Sequence, residues 1–324
     1  MTLHRFAVLV TASTVLLIVA GGLVTSTGSG LAVPDWPTTY GWSMFTFPLD
    51  KMVGGIRYEH GHRLIATSVG MLTIVLTVWL WFTERRRWLR RLGLTALAAV
   101  CAQGLLGGLT VLFFLPAPVS IAHAGLAQIF FCLMVSITLF TSRSWETMGE
   151  RGPVDDVRLR IVASATTVAI YLQILVGATM RHTEAGLAIP DFPLVFGGLL
   201  PPDWTAAIAV HYAHRVGALI VACAILATAG HVWVHHRSNG QLTRPALLAV
   251  ALVVVQISLG GLTVLSRRAV SVNTAHVVVG ALLLATSLVI TLRSWRVRFA
   301  WSRERDLSAE LGQSADFSSA GARA

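Results

Sequence analysis

The sequence predicts an all-α membrane protein: eight transmembrane helices arranged as two pseudo-symmetric antiparallel four-helix bundles. Three observations lead there. First, the 324 residues are 55% hydrophobic and only 12% charged, about half the charge of a soluble domain, with a mean hydropathy of +0.70. Second, eight apolar stretches, near 6–25, 62–82, 92–114, 119–141, 161–180, 209–233, 245–265 and 272–292, approach or exceed the roughly 20 residues that cross a bilayer. Third, the chain repeats itself at a nearly constant offset.

A segment in hydrocarbon has to satisfy its own backbone groups, so the spans are helices. Residues 6–25 follow a short basic start and have no clear A-x-A cleavage pattern, so they read as a retained first helix and not as a signal peptide. Basic residues set the orientation. Arg5, the run Arg85, Arg86, Arg87, Arg90 and Arg91, then Arg143, Arg151, Arg158, Arg160, Arg237, Arg244, Arg293, Arg296 and Arg298 fall on one side, against Lys51, Arg57, Arg181, Arg267 and Arg268 on the other. Positive loops stay inside, which puts both termini in the cytoplasm of a plasma-membrane protein. The same rule accounts for the net charge of +10, so the expected partner is membrane lipid and not nucleic acid. Cys101, Cys132 and Cys223 all fall inside apolar stretches without a CxxC spacing, which predicts buried free thiols and no disulfide.

The repeat has four markers. Gly30-Leu-Ala-Val-Pro-Asp35-Trp-Pro37 returns as Gly186-Leu-Ala-Ile-Pro-Asp191-Phe-Pro193, and Gln103-x-x-x-Gly-Gly108-Leu-Thr110 returns as Gln256-x-x-x-Gly-Gly261-Leu-Thr263; with His62/His214 and His123/His276 the offsets run from 152 to 156 residues. Four spans per half is an even number, so both halves enter from the same side, as in a parallel repeat about the membrane normal. The expected division is a bundle over 1–145, a cytoplasmic linker over 146–160, a second bundle over 161–295 and a disordered tail over 296–324. Loops 26–61 and 181–208 lie on the outer face.

The chemistry concentrates in histidines. His62 and His123 open the second and fourth spans, and His214 and His276 open the sixth and eighth. This puts each pair at one depth near the outer face. Ionisable groups in spans are costly and mark function. Two facing imidazoles without a cysteine or carboxylate cluster suit haem iron, which takes axial ligands from opposite sides of a plane, better than zinc, which wants four ligands. His60, adjacent to His62, points about 100° away on a helix and is not read as a ligand. His4, His182, His235 and His236 are read as solvated, and His231 as interfacial packing. The halves differ at one position: Glu59 precedes His62 by three residues where His211 precedes His214. Three-residue spacing shares a helix face, so the first bundle has a carboxyl group beside its imidazoles for proton transfer or charge stabilisation. Glu59 is also placed to pair with Arg63, and both readings stand together. Arg63 and Arg215 are candidates for haem propionates, which a guanidinium fork suits, or for interfacial anchoring. Asp35 and Asp191 are read as turn residues, with a lid over the sites as the alternative. The Gly-Gly pairs allow close helix approach or leave room for a flat macrocycle.

These residues resemble the heme A synthase family. The resemblance covers residues 1 to 295 and rests on Glu59-x-x-His62-Arg63, His214-Arg215, His123, His276 and the two duplicated motifs. It implies an eight-helix fold, with heme O oxidised at a ring methyl, through hydroxylation steps, to the formyl group of heme A for terminal oxidases. It implies that His62 and His123 frame the substrate heme O with Glu59 assisting, and that His214 and His276 ligate a haem b cofactor that passes electrons. A heme O synthase is the implied partner, and a homo-oligomer is left open. Some members carry a cysteine pair in an outer loop; residues 26–61 and 181–208 contain none, so a thiol role does not carry over. The competing readings are a bis-histidine haem b membrane electron carrier without catalytic activity and a transporter. The carrier would place haems at two depths, and the transporter would break its helices at the midplane.

Overall fold

A computed structural model describes residues 2–146 and 155–296. The described chain is helical, with eight helices long and apolar enough to cross a membrane. They are α1 Leu3–Ser26, α2 Gly54–Thr83, α3 Arg87–Leu112, α4 Ala117–Phe140, α5 Val157–His182, α6 Ala206–His236, α7 Gly240–Leu265 and α8 Val270–Ser294. Local chemistry sets the starts. Asp156, Thr205 and Asn239 accept a backbone N–H of the first turn of α5, α6 and α7, supplying a partner that a helix start lacks. Pro118 lies in the first turn of α4, where its missing N–H costs nothing.

Within the first four helices α1 packs on α2 and α4, and α3 on α2 and α4; the last four pair in the same pattern, α5 on α6 and α8, and α7 on α6 and α8. Each set encloses its own apolar core. One is built on Phe6, Leu76, Leu80, Leu89, Phe130 and Ile137, the other on Leu159, Ile170, Ile225, Leu242 and Leu284. The sets meet where α1 and α4 pack on α8 and α4 packs on α5, around Phe131, Ala281 and Ala285. Small and hydroxylated residues bring the backbones close there. A β-carbon on Gly22 would lie 3.1 Å from Thr274 Cγ2, and one on Gly125 2.8 Å from Leu175. Ser26 takes hydrogen bonds from Arg181, Asn273 and Thr274 at 3.0, 3.3 and 3.1 Å.

Several expectations change. Helix α2 begins at Gly54 and α3 at Arg87, not at 62 and 92. The polar turn around Glu59 is helical because its side chains are buried under the preceding loop, where Glu59, His60 and Arg63 bond residues 33–39, which apolar periodicity does not record. Cys101 and Cys223 are free but exposed on the outside of the bundle, and Cys132 is half-buried, so only the last fits the expectation of burial. Arg151, Arg298, most of the 146–160 linker and nearly all of the 296–324 tail lie outside the described residues.

Candidate functional site: four imidazoles at one end of the bundle

Each of the four singled-out histidines sits in the first half of an even-numbered helix and packs on a glycine late in the helix before it. A β-carbon on Gly21 would lie 3.2 Å from His62 Cε1, on Gly107 3.2 Å from His123, on Gly177 2.9 Å from His214 and on Gly260 3.2 Å from His276. The glycines let the Cε1 edge of each imidazole come close to the neighbouring backbone. All four rings are thereby at the same end of the molecule as the long loops, 27–53 and 183–205. His214 and His276 face one another with ring centres 6.5 Å apart and planes at 67°.

Three glutamines hold three of these histidines, each four residues before its glycine. Gln103 Nε2 lies 3.3 Å from His123 Nε2 and donates to the His123 carbonyl at 2.9 Å. Gln173 Nε2 lies 3.0 Å from His214 Nδ1 and donates to its carbonyl at 2.7 Å. Gln256 Nε2 lies 3.3 Å from His276 Nε2. The fourth place, before Gly21, belongs to Leu17. Gln173 lies where Gly217 leaves space, since a β-carbon there would be 2.2 Å from its Oε1. The corresponding residue in the first half is Ile65, and Leu17 and Ile65 both pack against the apolar core. His62 therefore lacks the amide that its three counterparts have. Sequence reasoning singled out Gln103 and Gln256 with the glycine pairs that follow them, which include Gly107 and Gly260, but missed Gln173, Gly177 and Gly21. The spacing Gln-x-x-x-Gly, present three times, was the available signal.

The donor set fits a haem. An iron held by two imidazoles with bonds of about 2 Å puts the ring centres roughly 6 Å apart, close to the 6.5 Å between His214 and His276. One ring nitrogen each of His62, His123 and His276 is buried without a hydrogen-bond partner, as are Oε1 of Gln103 and of Gln256. Such orphans want an explanation. Turning the Gln256 amide offers its oxygen to a ring N–H of His276 and leaves the other ring nitrogen for a metal, the usual arrangement around a ligating histidine; the Gln103 amide is kept as it stands by its bond to the His123 carbonyl.

Glu59 and Arg63 serve the first loop. Glu59 Oε1 accepts from Arg63 Nη2 at 2.6 Å and Oε2 accepts the Val33 N–H at 2.8 Å; the carboxylate and guanidinium are both buried. Arg63 Nη1 donates to the carbonyls of Asp35 and Thr38, and Nη2 also to that of Val33. All four terminal hydrogens are thus taken within the loop, which fits the anchoring reading of Arg63. Arg215 likewise anchors its loop, donating to the carbonyls of Leu194, Ile189 and Asp191. His211 stands in for Glu59 in the second half, its Nδ1 accepting the Ile189 N–H at 3.2 Å. His60 is buried beside Thr39 Oγ1 at 3.0 Å, consistent with a part in the loop.

The loops are duplicated turns. Asp35 accepts the N–H groups of Tyr40 and Gly41 at 2.7 and 2.9 Å, and Asp191 those of Phe196 and Gly197 at 2.9 and 2.8 Å. All four donors have positive φ, the backbone that a tight reversal with two left-handed residues needs. Burial opposes ionisation of Asp35, but the hydrogen bonds from Gly41, Thr38 and Tyr40 outweigh it and hold the carboxyl below its ordinary value. The turn reading of both aspartates holds. The loops also explain the second glycine of each pair: a β-carbon on Gly108 would fall 2.5 Å from Trp36, and one on Gly261 2.6 Å from Phe192. The first glycine seats the histidine, and the second seats the aromatic residue of the loop.

At the opposite end of the bundle, His231 and His236 were misread. Their Nε2 atoms lie 2.7 and 2.9 Å from Asp156 Oδ2, so neither is merely packed or solvated. His4, also read as solvated, lies 3.4 Å from Thr141 Oγ1.

Apolar spans and paired, glycine-seated imidazoles define a multi-span membrane protein of the paired-histidine kind. The pattern of the COX15-CtaA family, described as cytochrome oxidase assembly protein, matches residues 4–288, and the chain belongs to that family. It is similar to a heme A synthase of Geobacillus kaustophilus (strain HTA426), 27% identical over 314 residues that make up 95% of this chain and 96% of that protein. It is also similar to a heme A synthase of Shouchella clausii (strain KSM-K16), 30% identical over 273 residues, 82% of this chain and 88% of that one.

Proposed function

We propose that this protein is a heme A synthase, an oxidoreductase that converts a ring methyl of heme O, through hydroxylation, to the formyl group of heme A for terminal oxidases. The observation that carries the reading is the pair of imidazoles seated on glycine in each half, with the His214 and His276 ring centres 6.5 Å apart. In this reading residues 161–295 hold haem b between His214 and His276, and residues 1–145 hold the substrate heme O between His62 and His123. Both sites lie near the outer face of the cell membrane, with both termini cytoplasmic. A heme O synthase is the expected source of substrate.

Turning a methyl and one water into a formyl group releases four protons and four electrons, so the site needs a proton acceptor and the electrons have to pass to an acceptor outside this chain. Haem b, when bound, supplies a one-electron carrier beside the substrate half. The chain's own residues do the rest. Three histidines are fixed by a glutamine, and a fixed second-shell partner keeps a ligand on its metal. His62 has Leu17 and Ile65 in that place, so of the four imidazoles it is the one that no glutamine holds, and it would be the freest to turn beside the substrate. Glu59 is the carboxyl group of the same half, one helical turn from His62, and we assign it the proton. To act, its carboxylate has to loosen from Arg63, which links proton transfer to a movement of loop 27–53.

The test is heme extraction from cells that make heme O. The wild-type chain yields heme A. Glu59→Gln is expected to keep its haem and lose heme A formation. Unchanged heme A from that variant would remove Glu59 from the mechanism; a purified wild-type chain that holds haem b but never heme O or heme A would favour the electron-carrier reading.

A further inference from the structure

We infer a second metal site, for a zinc-class divalent ion, formed by Asp156, His231 and His236 at the end of the bundle remote from the four haem-type histidines. His214 and His236 share helix α6 and are 22 positions apart in the sequence, about 33 Å along its axis, so the two sites are separate. The site is independent of the function proposed above.

Three ligand atoms converge from two elements. Asp156 Oδ2, His231 Nε2 and His236 Nε2 all lie within 4.8 Å of one another. The carboxylate stands at the start of α5, where its other oxygen accepts the Leu159 N–H at 2.9 Å; one oxygen fixes the helix start and the other is aimed at the imidazoles. Two imidazoles and a carboxylate are the donors of a zinc site with an open position. A zinc ion with bonds of about 2 Å holds its ligands roughly 3.3 Å apart, so the observed 2.7 and 2.9 Å need to widen by only a few tenths of an ångström. The neighbouring cation does not compete, since Arg160 bonds Asp155 at 2.7 Å. All three groups are only partly buried, with side chains 17–18% exposed, so an ion reaches them from water. The ring of His235 lies beside that of His231, with centres 4.5 Å apart.

The repeat shows that the fold does not need these histidines. With His62 and His214 in register, the place of His231 in the first half is Trp79 and that of His236 is Glu84. Trp79 closes its corner on Phe6, ring centres 5.6 Å apart, and Glu84 pairs with Arg86 at 2.7 Å. One corner is closed by an aromatic contact; the other has three convergent ligands. A bound ion would tie the start of α5 to the end of α6.

The test uses the haem-loaded, untagged chain in detergent, dialysed against a chelator and then titrated with zinc chloride, with metal counted by mass spectrometry. The wild type is expected to hold about one zinc more than His231→Gln/His236→Gln, and each single variant to bind it roughly ten-fold or more weakly, with haem content unchanged. Zinc-edge absorption of the wild type alone is expected to show two imidazole ligands, a result that does not depend on the variants folding. Equal zinc in wild type and double variant, or an absorption edge without imidazole scattering, overturns the site and makes any zinc adventitious.

Discussion

At the scale of single residues, the side chain that stands beside each imidazole decides how firmly that imidazole is held. A β-carbon on Gly177 would lie 2.9 Å from His214 Cε1, so Gly177→Val is expected to push the ring from its seat and strip haem b, read as loss of the pyridine haemochrome from purified protein. Gly230 has open space around a β-carbon, and Gly230→Ala in the same helix pair is expected to keep it. Leu17→Gln with Ile65→Gly recreates in the first half the pair that Gln173 and Gly217 form in the second. If an unclamped His62 matters, this double change leaves heme O bound but lowers heme A yield by about ten-fold, the scale at which second-shell partners act; an unchanged yield removes Leu17 from the argument. The histidines were legible in the sequence because charge-bearing residues in apolar spans stand out. Leu17 was not, because a leucine in a span is the commonest residue there and acquires meaning only opposite Gln173.

At the scale of elements, the duplicated loops are held by buried ends and one aspartate each. The Asp35 carboxyl is held below its ordinary value of 3.8 by hydrogen bonds that outweigh its burial. A carboxyl lowered in the folded state adds stability that is present above the unfolded value and lost as pH falls through the folded one. Loop 27–53 should therefore be protected from hydrogen exchange at pH 6 and lose protection below about pH 4, while Asp35→Asn should show weak protection at both. A wild-type loop whose exchange ignores this window contradicts the turn assignment. Gly108→Leu should unseat Trp36 and expose the same loop at every pH. The turn role of Asp35 was legible from its Pro-flanked setting. The start of α2 at Gly54 was not, because the segment through Glu59, His60 and Arg63 is polar in sequence and buried by contacts with residues 33–39, which no local pattern encodes. The same cause hid the contacts of Arg63: the carbonyls that its guanidinium binds are brought in by the loop.

At the scale of the whole molecule, two sets of four helices meet through α1, α4, α5 and α8, and small residues set their spacing. Gly125 touches Leu175 across that boundary; Gly125→Leu should overpack it at a cost of about 1–3 kcal/mol, seen as a lower midpoint of thermal unfolding in detergent, with no such fall for Gly70→Leu, where a β-carbon meets open space. The number of spans and the duplication were legible because hydropathy and a constant offset are properties of the whole chain. The corner at Asp156, His231 and His236 was not, since it joins residues about 75 apart that the repeat does not share. The central claim, that the two halves hold different haems through separate histidine pairs, is tested most directly by the haem content of four purified variants made with a heme O supply: His62→Ala, His123→Ala, His214→Ala and His276→Ala. The first two are expected to retain haem b and lose heme A, and the last two to lose haem b; the same haem loss from all four, or haem b lost only from the first pair, would contradict the division of labour.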